Sequence, residues 1–395
     1  MTSNNKSKSY TDIDKKHYLQ TFKRYPQVFE RGKGVYLWDK EGKRYLDALA
    51  GIAVNILGHN HPALVKAIKA QAEMLIHISN FYLSEPQAML TQKLSQLSGL
   101  QRVFLTNSGA ESNEGALKIA RKYAHSVGRG GTVISFEGSF HGRTLATIAT
   151  GKKKMQQGFD PIPQGFKQVA FNDMEAVKKA ADKDTGAIII EPIQGEGGIN
   201  PADPTFMKEL REFCTQEKIV LIFDEIQCGI CRTGKFFAKE HYNVQPDIMT
   251  LAKALGGGVP IGAVLTDEKI AQAMDYGDHG TTFGGNPLAS AASLAVLETA
   301  QKEDLSKQAE EKGKWFVEKI EALNLPSIKE IRGKGLMIGI EFDFETKPLV
   351  LEMLDRGVLA NATADNVLRI VPPLIIDYPE LEEIIEVIKE SVNNL

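Results

Sequence analysis

The stretch IVLIFDEIQ, residues 219–227, begins as an unbroken apolar run and turns acidic at Asp224. Such a run is typical of a strand that is covered on both faces, as the strands of a parallel sheet are. An acidic side chain at the end of a buried strand must meet a cation, a metal ion or a cluster of hydrogen-bond donors, because an isolated buried charge is costly. The stretch therefore predicts a buried strand with a polar site at its carboxyl end.

Five other stretches have the same apolar character, and helical patterns separate them. They are RVFLT (102–106), TVISF (132–136), GAIIIEP (186–192), DIMTLA (247–252) and IGAVLT (261–266). Alternating strands and helices predict an α/β fold with a doubly wound, mainly parallel sheet. Because ligands bind such sheets at the carboxyl ends of the strands, we expect the functional residues at that edge.

The two ends of the chain have a different pattern. Residues 28–49 alternate apolar and polar side chains around the turn-like DKEGK, and residues 332–343 have the pattern of a second strand pair. We therefore predict a large domain over residues 58–301 and a smaller α+β domain built from residues 1–57 and 302–395.

Charge and hydropathy argue against two classes of partner. The chain has 395 residues and a net charge of only −3, which gives no polyelectrolyte basis for binding nucleic acid or an anionic membrane. No apolar run reaches the roughly 20 residues of a membrane-spanning helix. The polar N-terminus lacks the features of a signal or transit peptide, so we predict a cytoplasmic protein with little order in its first ten or so residues.

Two residue pairs resemble parts of metal sites. Cys228 and Cys231 form a C-x-x-C pair, and His59 and His61 lie in GHNHP. A structural zinc site requires four ligands, and neither pair has a second pair at a suitable spacing. We predict structural roles for the histidines and expect no metal ion, and the sequence leaves any role of the cysteine pair open.

Lys253 lies in the small and apolar stretch TLAKALGGGVPIGA, residues 250–263, without an acidic neighbour. Burial among apolar groups lowers the pKa of a lysine, because it disfavours the charged form. The neutral amine is then a nucleophile that can form a Schiff base with a carbonyl. The glycines that follow leave space for what this lysine holds.

Two further segments follow predicted strands. In TNSGAES, residues 106–112, Ser108 and Glu111 match a helix capping box, and a phosphate could bind at Gly109 and Ala110 because a helix N-terminus attracts anions. In EGSFHGRT, residues 137–144, the side chains suited to ring stacking and to carboxylate binding are Phe140 and Arg143. Together with a strand-end aspartate and a Schiff-base lysine, these features predict a pyridoxal 5'-phosphate site, in which the acid partners the ring nitrogen.

The sequence resembles the class III aminotransferases of fold type I from about residue 22 to the C-terminus. The motifs that carry the resemblance are GIAVNILGH, TNSGAESNEGALKIAR, SFHGRT, EPIQGEGG, FDEIQ, LAKALGGG, TTFGGNPLA and LRIVPPL. Within that family the chain is most similar to the branch that uses acetylornithine. The resemblance implies a pyridoxal-phosphate enzyme with a large domain that carries a mainly parallel sheet and a smaller α+β domain from both termini.

The resemblance also assigns roles around the cofactor. It implies that Lys253 holds the cofactor aldehyde and later moves a proton, and that Asp224 pairs with the pyridine nitrogen. Other residues implied at the cofactor are Gly109 and Ala110 at the phosphate, Phe140 and Ile226 on opposite ring faces, Gln227 at the ring 3-oxygen, Glu225, and Thr282 at the phosphate of a neighbouring subunit's cofactor. A homodimer with shared sites follows from the position of Thr282.

The implied substrate residues are Arg143, Thr281, Glu196 and Arg369. Arg143 would bind the carboxylate far from the reacting amine, and Arg369 the carboxylate beside it. Glu196 would cover Arg369 with a removable ion pair, because an unpaired buried charge is expensive. The implied reaction moves the terminal amine of N2-acetyl-L-ornithine to 2-oxoglutarate in arginine biosynthesis, giving N-acetyl-L-glutamate 5-semialdehyde and L-glutamate.

Several activities remain as alternatives. Aminotransferases for ornithine, succinylornithine, acetyl-lysine or 4-aminobutyrate share the same reactive residues, and a non-catalytic cofactor-binding regulator is an alternative of another class. The chain has Gly51–Ile52 where ornithine δ-aminotransferases tend to carry a bulky aromatic side chain, which favours an acylated donor. A second departure is Cys231, which occupies a position where the family usually has glycine.

Overall fold

The computed structural model describes residues 3–395, and their side chains from residue 9 onward. The strands are β1 (Phe29–Lys33), β2 (Tyr36–Asp39), β3 (Arg44–Asp47), β4 (Arg102–Thr106), β5 (Thr132–Phe136), β6 (Phe166–Val169), β7 (Thr185–Ile190), β8 (Ile193–Gln194), β9 (Asn200–Pro201), β10 (Val220–Asp224), β11 (Ile248–Leu251), β12 (Gly262–Thr266), β13 (Ile328–Lys334), β14 (Met337–Phe342), β15 (Val358–Leu359), β16 (Asn361–Thr363) and β17 (Val367–Ile370).

The helices surround these strands. They are α1 (Ser3–His17), α2 (Ala50–Ala53), α3 (Pro62–Met74), α4 (Glu85–Ser98), α5 (Gly109–Ser126), α6 (Leu145–Ala149), α7 (Met174–Ala180), α8 (Pro204–Glu217), α9 (Glu268–Ala271), α10 (Pro287–Lys302), α11 (Leu305–Ala322), α12 (Lys347–Asp355) and α13 (Tyr378–Asn393). Short 3₁₀ helices lie at Lys153–Met155, Ala238–His241 and Lys253–Gly256. Among residues 3–395, no helix combines the length and the apolar content that crossing a bilayer requires.

A seven-stranded sheet in the described chain has the order β4-β12-β11-β10-β7-β5-β6. Strand β12 runs antiparallel to both neighbours, β4 and β11, and the remaining pairs are parallel. The prediction of a mainly parallel α/β sheet is confirmed. Strand β6 was not predicted, because its sequence FKQV is short and half polar.

Helices cover this sheet on both faces, as the apolar runs predicted. Alternate residues of β10 point to opposite sides: Leu221 and Phe223 pack in one apolar cluster with α8, whereas Val220 and Ile222 pack in another with α5. Because the six like-directed strands end at one edge, the loops after β4, β5, β7, β10 and β11 meet there.

Both ends of the chain contribute to smaller sheets. Strands β1, β2 and β3 form an antiparallel meander, and β15 from the C-terminal region adds to β3 in parallel. A second sheet has the order β13-β14-β17-β16 and is antiparallel throughout. We keep the boundaries at residues 57/58 and 301/302 as a proposal, with the second boundary near the end of α10 at Lys302.

The N-terminus differs from the sequence prediction. Little order was predicted for the first ten or so residues, but α1 covers Ser3–His17, and residues 1–2 lie outside the described part of the chain. Its last turn carries Lys15, Lys16 and His17, and positive charge at a helix C-terminus is favourable.

Candidate active site

A cavity of about 380 Å³ lies where the carboxyl ends of the central strands meet. Residues predicted from the sequence that line it are Gly109, Ala110, Phe140, Arg143, Asp224, Ile226, Gln227 and Lys253. The fold thus brings to one place segments that are more than a hundred residues apart in the sequence.

One wall of the cavity is the N-terminus of α5. The Ser108 hydroxyl accepts a hydrogen bond from the backbone N–H of Glu111 at 3.2 Å, as a capping serine does. The Glu111 carboxylate accepts from the backbone N–H and the amide of Asn107, at 2.9 and 2.8 Å, so only half of the predicted capping box forms. The first N–H groups of a helix have no partner within it, so this end can bind an anion. A Cβ at Gly109 would lie 2.9 Å from Ile226 Cδ1, so the close approach requires glycine.

Asp224 ends β10 and is held by donors from three elements. Its Oδ2 accepts from Asn113 Nδ2 at 2.8 Å and lies 2.7 Å from His141 Nδ1, and its Oδ1 accepts from the backbone N–H of Ile226 at 3.0 Å. The Thr250 hydroxyl donates to Asn113 Oδ1 at 2.8 Å, which fixes the amide with its nitrogen toward Asp224. This network positions the carboxylate through hydrogen bonds at both of its oxygens.

His141 is the imidazole neighbour of Asp224. Burial lowers the pKa of its imidazole, but the hydrogen bond and charge of Asp224, with the charge of Glu191, outweigh burial and leave the pKa raised. Its Nε2 is buried and has no hydrogen-bond partner among the described residues. The sequence left the role of His141 ambiguous, and the structure shows that it contacts Asp224.

Glu191 is a buried acid at the cavity that the sequence reasoning missed. Its two oxygens accept from the backbone N–H of Phe140 at 3.0 Å and of Gly195 at 3.1 Å. Burial raises the pKa of Glu191 to about 7, with Asp224 raising it further and His141 opposing. It directly follows β7, so the strand-end position that singled out Asp224 could also have found it.

Lys253 reaches the cavity from the turn after β11. Its backbone has φ +37°, in the region that side chains other than glycine rarely adopt, and such strain is concentrated at functional sites. Burial lowers the pKa of Lys253 to about 8, and Arg369 lowers it further against the opposing charges of Glu196, Asp224 and Glu191. About a tenth of the amine is therefore neutral at pH 7, against less than about a thousandth for a lysine with the ordinary pKa.

Arg369 lies fully buried behind Gln227, on β17. Its Nη1 donates to Glu196 Oε1 at 2.5 Å and to Gln227 Oε1 at 3.1 Å, and its Nε donates to Asn361 Oδ1 at 3.0 Å. Burial raises the pKa of Glu196, but the Arg369 charge and hydrogen bond outweigh it, so the pKa is lowered. The ion pair expected between Glu196 and Arg369 is thus present in the structure.

Arg143 differs from Arg369 in its surroundings. It is exposed at the cavity, with its guanidinium carbon 5.2 Å from the centre of the Phe140 ring. No carboxylate of the described residues lies within ion-pair distance of it. Its planar fork of donors is available to a carboxylate that enters the cavity.

Three predicted site residues lie away from this cavity. Thr281 and Thr282 line a separate surface groove, where Thr281 Oγ1 accepts from Asn107 Nδ2 at 3.1 Å. Glu225 points toward the helix at Ala238–His241 and accepts from the backbone N–H groups of its first residues at 2.6 and 2.7 Å. The prediction of Glu225 at the cofactor is therefore corrected: successive side chains of an extended segment point to opposite sides, and Asp224 takes the cavity side.

The buried position of Glu225 predicts a pH-dependent stability. Burial raises its pKa to about 7 in the folded state from 4.5, so the folded protein binds the proton more tightly than the unfolded chain. The contribution of Glu225 to the free energy of unfolding therefore falls as pH rises from 4.5 through 7, by at most about 3 kcal/mol.

In E225Q this part of the pH dependence is expected to disappear. Urea unfolding of both proteins at pH 5 and pH 8 measures it, because the difference in unfolding free energy, wild type minus variant, should decrease with pH. A difference that stays constant between these pH values would contradict the assignment.

The histidine pair makes hydrogen bonds that suit a structural role, and the cysteine pair is buried. His59 Nε2 lies 2.8 Å from Asp47 Oδ2, and His61 caps α3. Cys228 and Cys231 are buried free thiols, and Cys231 adopts φ +66°, which explains why glycine suits that position. Within residues 3–395, no group of three or more His, Cys, Asp and Glu side chains is placed to hold a metal ion.

The residues around the cavity fit pyridoxal 5'-phosphate. A helix N-terminus approached closely through Gly109 suits a phosphate, and Phe140 and Ile226 provide apolar walls for a planar ring. The Asp224 carboxylate can hold a protonated ring nitrogen, and a lysine amine with a lowered pKa can bond to an aldehyde. These are the functional groups that the cofactor requires.

Comparison with known proteins agrees with this geometry. Residues 20–392 match the family model described as aminotransferase class III. The chain is 55% identical to the acetylornithine aminotransferase of Methanocaldococcus jannaschii, with 97% of each chain covered. The acetylornithine aminotransferase structure from Elizabethkingia anophelis is 34% identical, with a TM-score of 0.88 over 98% of this chain and 99% of that one.

A further solved structure relates the fold to the cofactor. The ornithine aminotransferase of Toxoplasma gondii, described with partial occupancy of pyridoxal phosphate at its active site, is 34% identical and has a TM-score of 0.93. The alignment covers 98% of this chain and 93% of that chain. The protein therefore belongs to the class III aminotransferases, which depend on pyridoxal 5'-phosphate.

Proposed function

We propose that this aminotransferase moves the terminal amine of N2-acetyl-L-ornithine to 2-oxoglutarate by a ping-pong mechanism, giving N-acetyl-L-glutamate 5-semialdehyde and L-glutamate. The observation that carries the proposal is the contrast between its two arginines. Arg369 is neutralised by Glu196, whereas Arg143 is exposed at the same site and free of carboxylates among the described residues. Relatives named acetylornithine aminotransferase at 45–55% identity support the choice of donor.

The chemistry of the transfer divides between cofactor and protein. Bound pyridoxal phosphate supplies an aldehyde that exchanges amines and a protonated ring that accepts electrons from the carbon being deprotonated. The neutral amine of Lys253 would hold that aldehyde, and the same amine would serve as the base at the substrate carbon. Asp224 would hold the protonated ring nitrogen, and its hydrogen bonds to Asn113 and His141 keep the carboxylate in place.

The arginines distinguish the two substrates. Arg143 binds the carboxylate that lies far from the reacting group, which is the terminal amine in acetylornithine and the keto group in 2-oxoglutarate. The reacting carbon of acetylornithine carries no carboxylate, so Glu196 stays on Arg369 and the buried charge remains paired. For 2-oxoglutarate, the Glu196 side chain moves away and Arg369 binds the carboxylate next to the keto group.

The region around Gly51 supports an acylated donor. Gly51 lies in a turn with left-handed backbone, φ +63°, close to Val54, which lines the cavity. A Cβ at Gly51 would meet Asn55 Nδ2 at 3.4 Å and Val54 Cβ at 3.8 Å, both ordinary contact distances. A bulky side chain at this position would therefore start in contact with Val54, and its absence suits a donor that carries an acetyl group.

We also propose a cytoplasmic homodimer that serves arginine biosynthesis. The groove that contains Thr282 also contains Phe81 and Leu83, whose exposed fractions of 92% and 95% are high for apolar side chains. A second copy of the chain that covers this groove would bury Phe81 and Leu83. Thr282 would then reach the cofactor phosphate of that second copy. Thr281, in the same loop, would then lie at the shared site.

A comparison of amino donors tests the proposed substrate. With 2-oxoglutarate as acceptor, we expect kcat/KM for N2-acetylornithine to exceed that for ornithine, succinylornithine, acetyl-lysine and 4-aminobutyrate at least tenfold, or about 1.4 kcal/mol in the barrier. Steady-state glutamate formation by the holoenzyme measures it. A tenfold preference for free ornithine would contradict the proposal, and a cofactor-loaded protein inert to every donor would favour a regulatory protein.

A further inference from the structure

The short strand β16 lies directly beside Arg369. In the antiparallel register, Asn361 of β16 is the cross-strand partner of Arg369 on β17. Directly opposite residues in such a pair have their side chains on the same face and in contact. The register therefore sets the amide of Asn361 next to the guanidinium.

Each of three acceptors around Arg369 is bonded to a particular nitrogen of its guanidinium group. Nε donates to Asn361 Oδ1 at 3.0 Å, and Nη1 donates to Glu196 and Gln227, whereas Nη2 is buried and has no partner among the described residues. Because arginine only donates, the Asn361 oxygen must face it, and the amide orientation is settled. Asn361 thus fixes the Nε side of a planar, rigid group and leaves the Nη edge toward Glu196.

The same strand holds the backbone of the Glu196 loop. Thr363, two residues from Asn361, donates from its hydroxyl to the backbone oxygen of Glu196 at 2.9 Å. Arg332 donates from Nε to the backbone oxygen of Gly198, also at 2.9 Å. The Glu196 side chain, about a third exposed, can rotate away from Arg369 while its backbone stays fixed.

We infer that Asn361 is a positioning residue that sets how Arg369 binds a carboxylate. With Nε occupied by Asn361, an incoming carboxylate can take only the edge formed by Nη1 and Nη2, and only after Glu196 has left it. Asn361 therefore acts on the dicarboxylate half of the reaction and not on the half that uses a terminal amine. This inference rests on the proposed function, because it assigns the substrate carboxylate to Arg369.

The two half-reactions of the N361A holoenzyme, followed separately by cofactor absorbance, test the inference. Losing a hydrogen bond to a charged group should raise the apparent dissociation constants of glutamate and 2-oxoglutarate about tenfold. The rate and half-saturation with acetylornithine should change less than about twofold, because Glu196 and Gln227 still pair with Arg369. A merely structural role would slow both half-reactions together, and that result, or no change in either, would overturn the inference.

A matched control is N366A, the same change in the turn before β17. Asn366 donates to Glu341 and to the backbone of Phe342 and lies outside the site, so N366A should leave both half-reactions as in wild type. An equal loss of glutamate affinity in N366A would overturn the specific role of Asn361.

Calorimetric binding of glutarate, a five-carbon dicarboxylate that cannot react, separates the inference from the proposed function. Glutarate should bind the N361A holoenzyme about tenfold more weakly than wild type. If wild type fails to transaminate acetylornithine but still binds glutarate about tenfold more tightly than N361A does, the proposed function fails and the role of Asn361 stands. If wild type transaminates as proposed and both proteins bind glutarate equally, the role of Asn361 fails alone.

Discussion

Replacing Lys253 by methionine is expected to lower kcat by at least about 10³-fold, because the change removes both the group that holds the aldehyde and the group that moves the proton. Methionine has a similar length and no charge, so the cavity keeps its shape. Steady-state transamination by cofactor-saturated K253M measures the loss. The matched control is K179M, at an exposed position of α7, which should stay within about twofold of wild type.

The same change is expected to stabilise the protein without cofactor. The folded-state pKa of Lys253, about 8, lies below its ordinary value of 10.5, so below pH 8 folding must bury a cation. That cost is fully present near pH 7 and disappears as pH rises from 8 to 10.5, because the unfolded chain alone then holds the proton. The thermal midpoint of K253M should therefore exceed that of wild type at pH 7. A K253M protein that keeps a tenth of wild-type kcat would contradict the proposed role of Lys253.

D224N is expected to lower kcat by about 10² to 10³-fold, the usual cost of removing one preorganised electrostatic contact. The carboxylate accepts at both oxygens, from Asn113 and His141 at one and from the backbone of Ile226 at the other. An amide must turn its NH₂ group toward one of these donor sets, and a buried donor left unpaired costs about 1–3 kcal/mol.

Weaker cofactor binding should accompany the loss of rate in D224N. Absorbance titration with pyridoxal phosphate measures the dissociation constant, and steady-state kinetics at saturating cofactor isolates kcat. D343N makes the same chemical change at an exposed position and should leave both quantities close to wild type. Wild-type kcat in saturated D224N would exclude Asp224 as the partner of the ring nitrogen.

The sequence predicted what lies within single segments. Apolar runs marked strands such as β4, β5 and β10, and the chemistry of Lys253 and Asp224 followed from their immediate neighbours. Short polar elements such as β6 and β16 lack that signal, because their stability comes from pairing with longer strands.

Contacts between distant segments were not predictable from the sequence. Asn113 has ordinary helical neighbours, and only the folded structure shows that it lies 2.8 Å from Asp224. The position of Asn361 next to Arg369 depends on strand register in the same way. For Glu225, the alternation of an extended segment would have corrected the prediction, because a residue next to Asp224 must point elsewhere.

The single reversed strand of the central sheet has a consequence for how the reactive amine is held. Joining two adjacent parallel strands takes a crossover of a dozen or more residues, usually through a helix on one face. Because β12 returns antiparallel beside β11, residues 252–261 leave and re-enter the sheet at the same edge. The segment that carries the amine is thus held at both of its ends by the backbone pairing of β11 with β12.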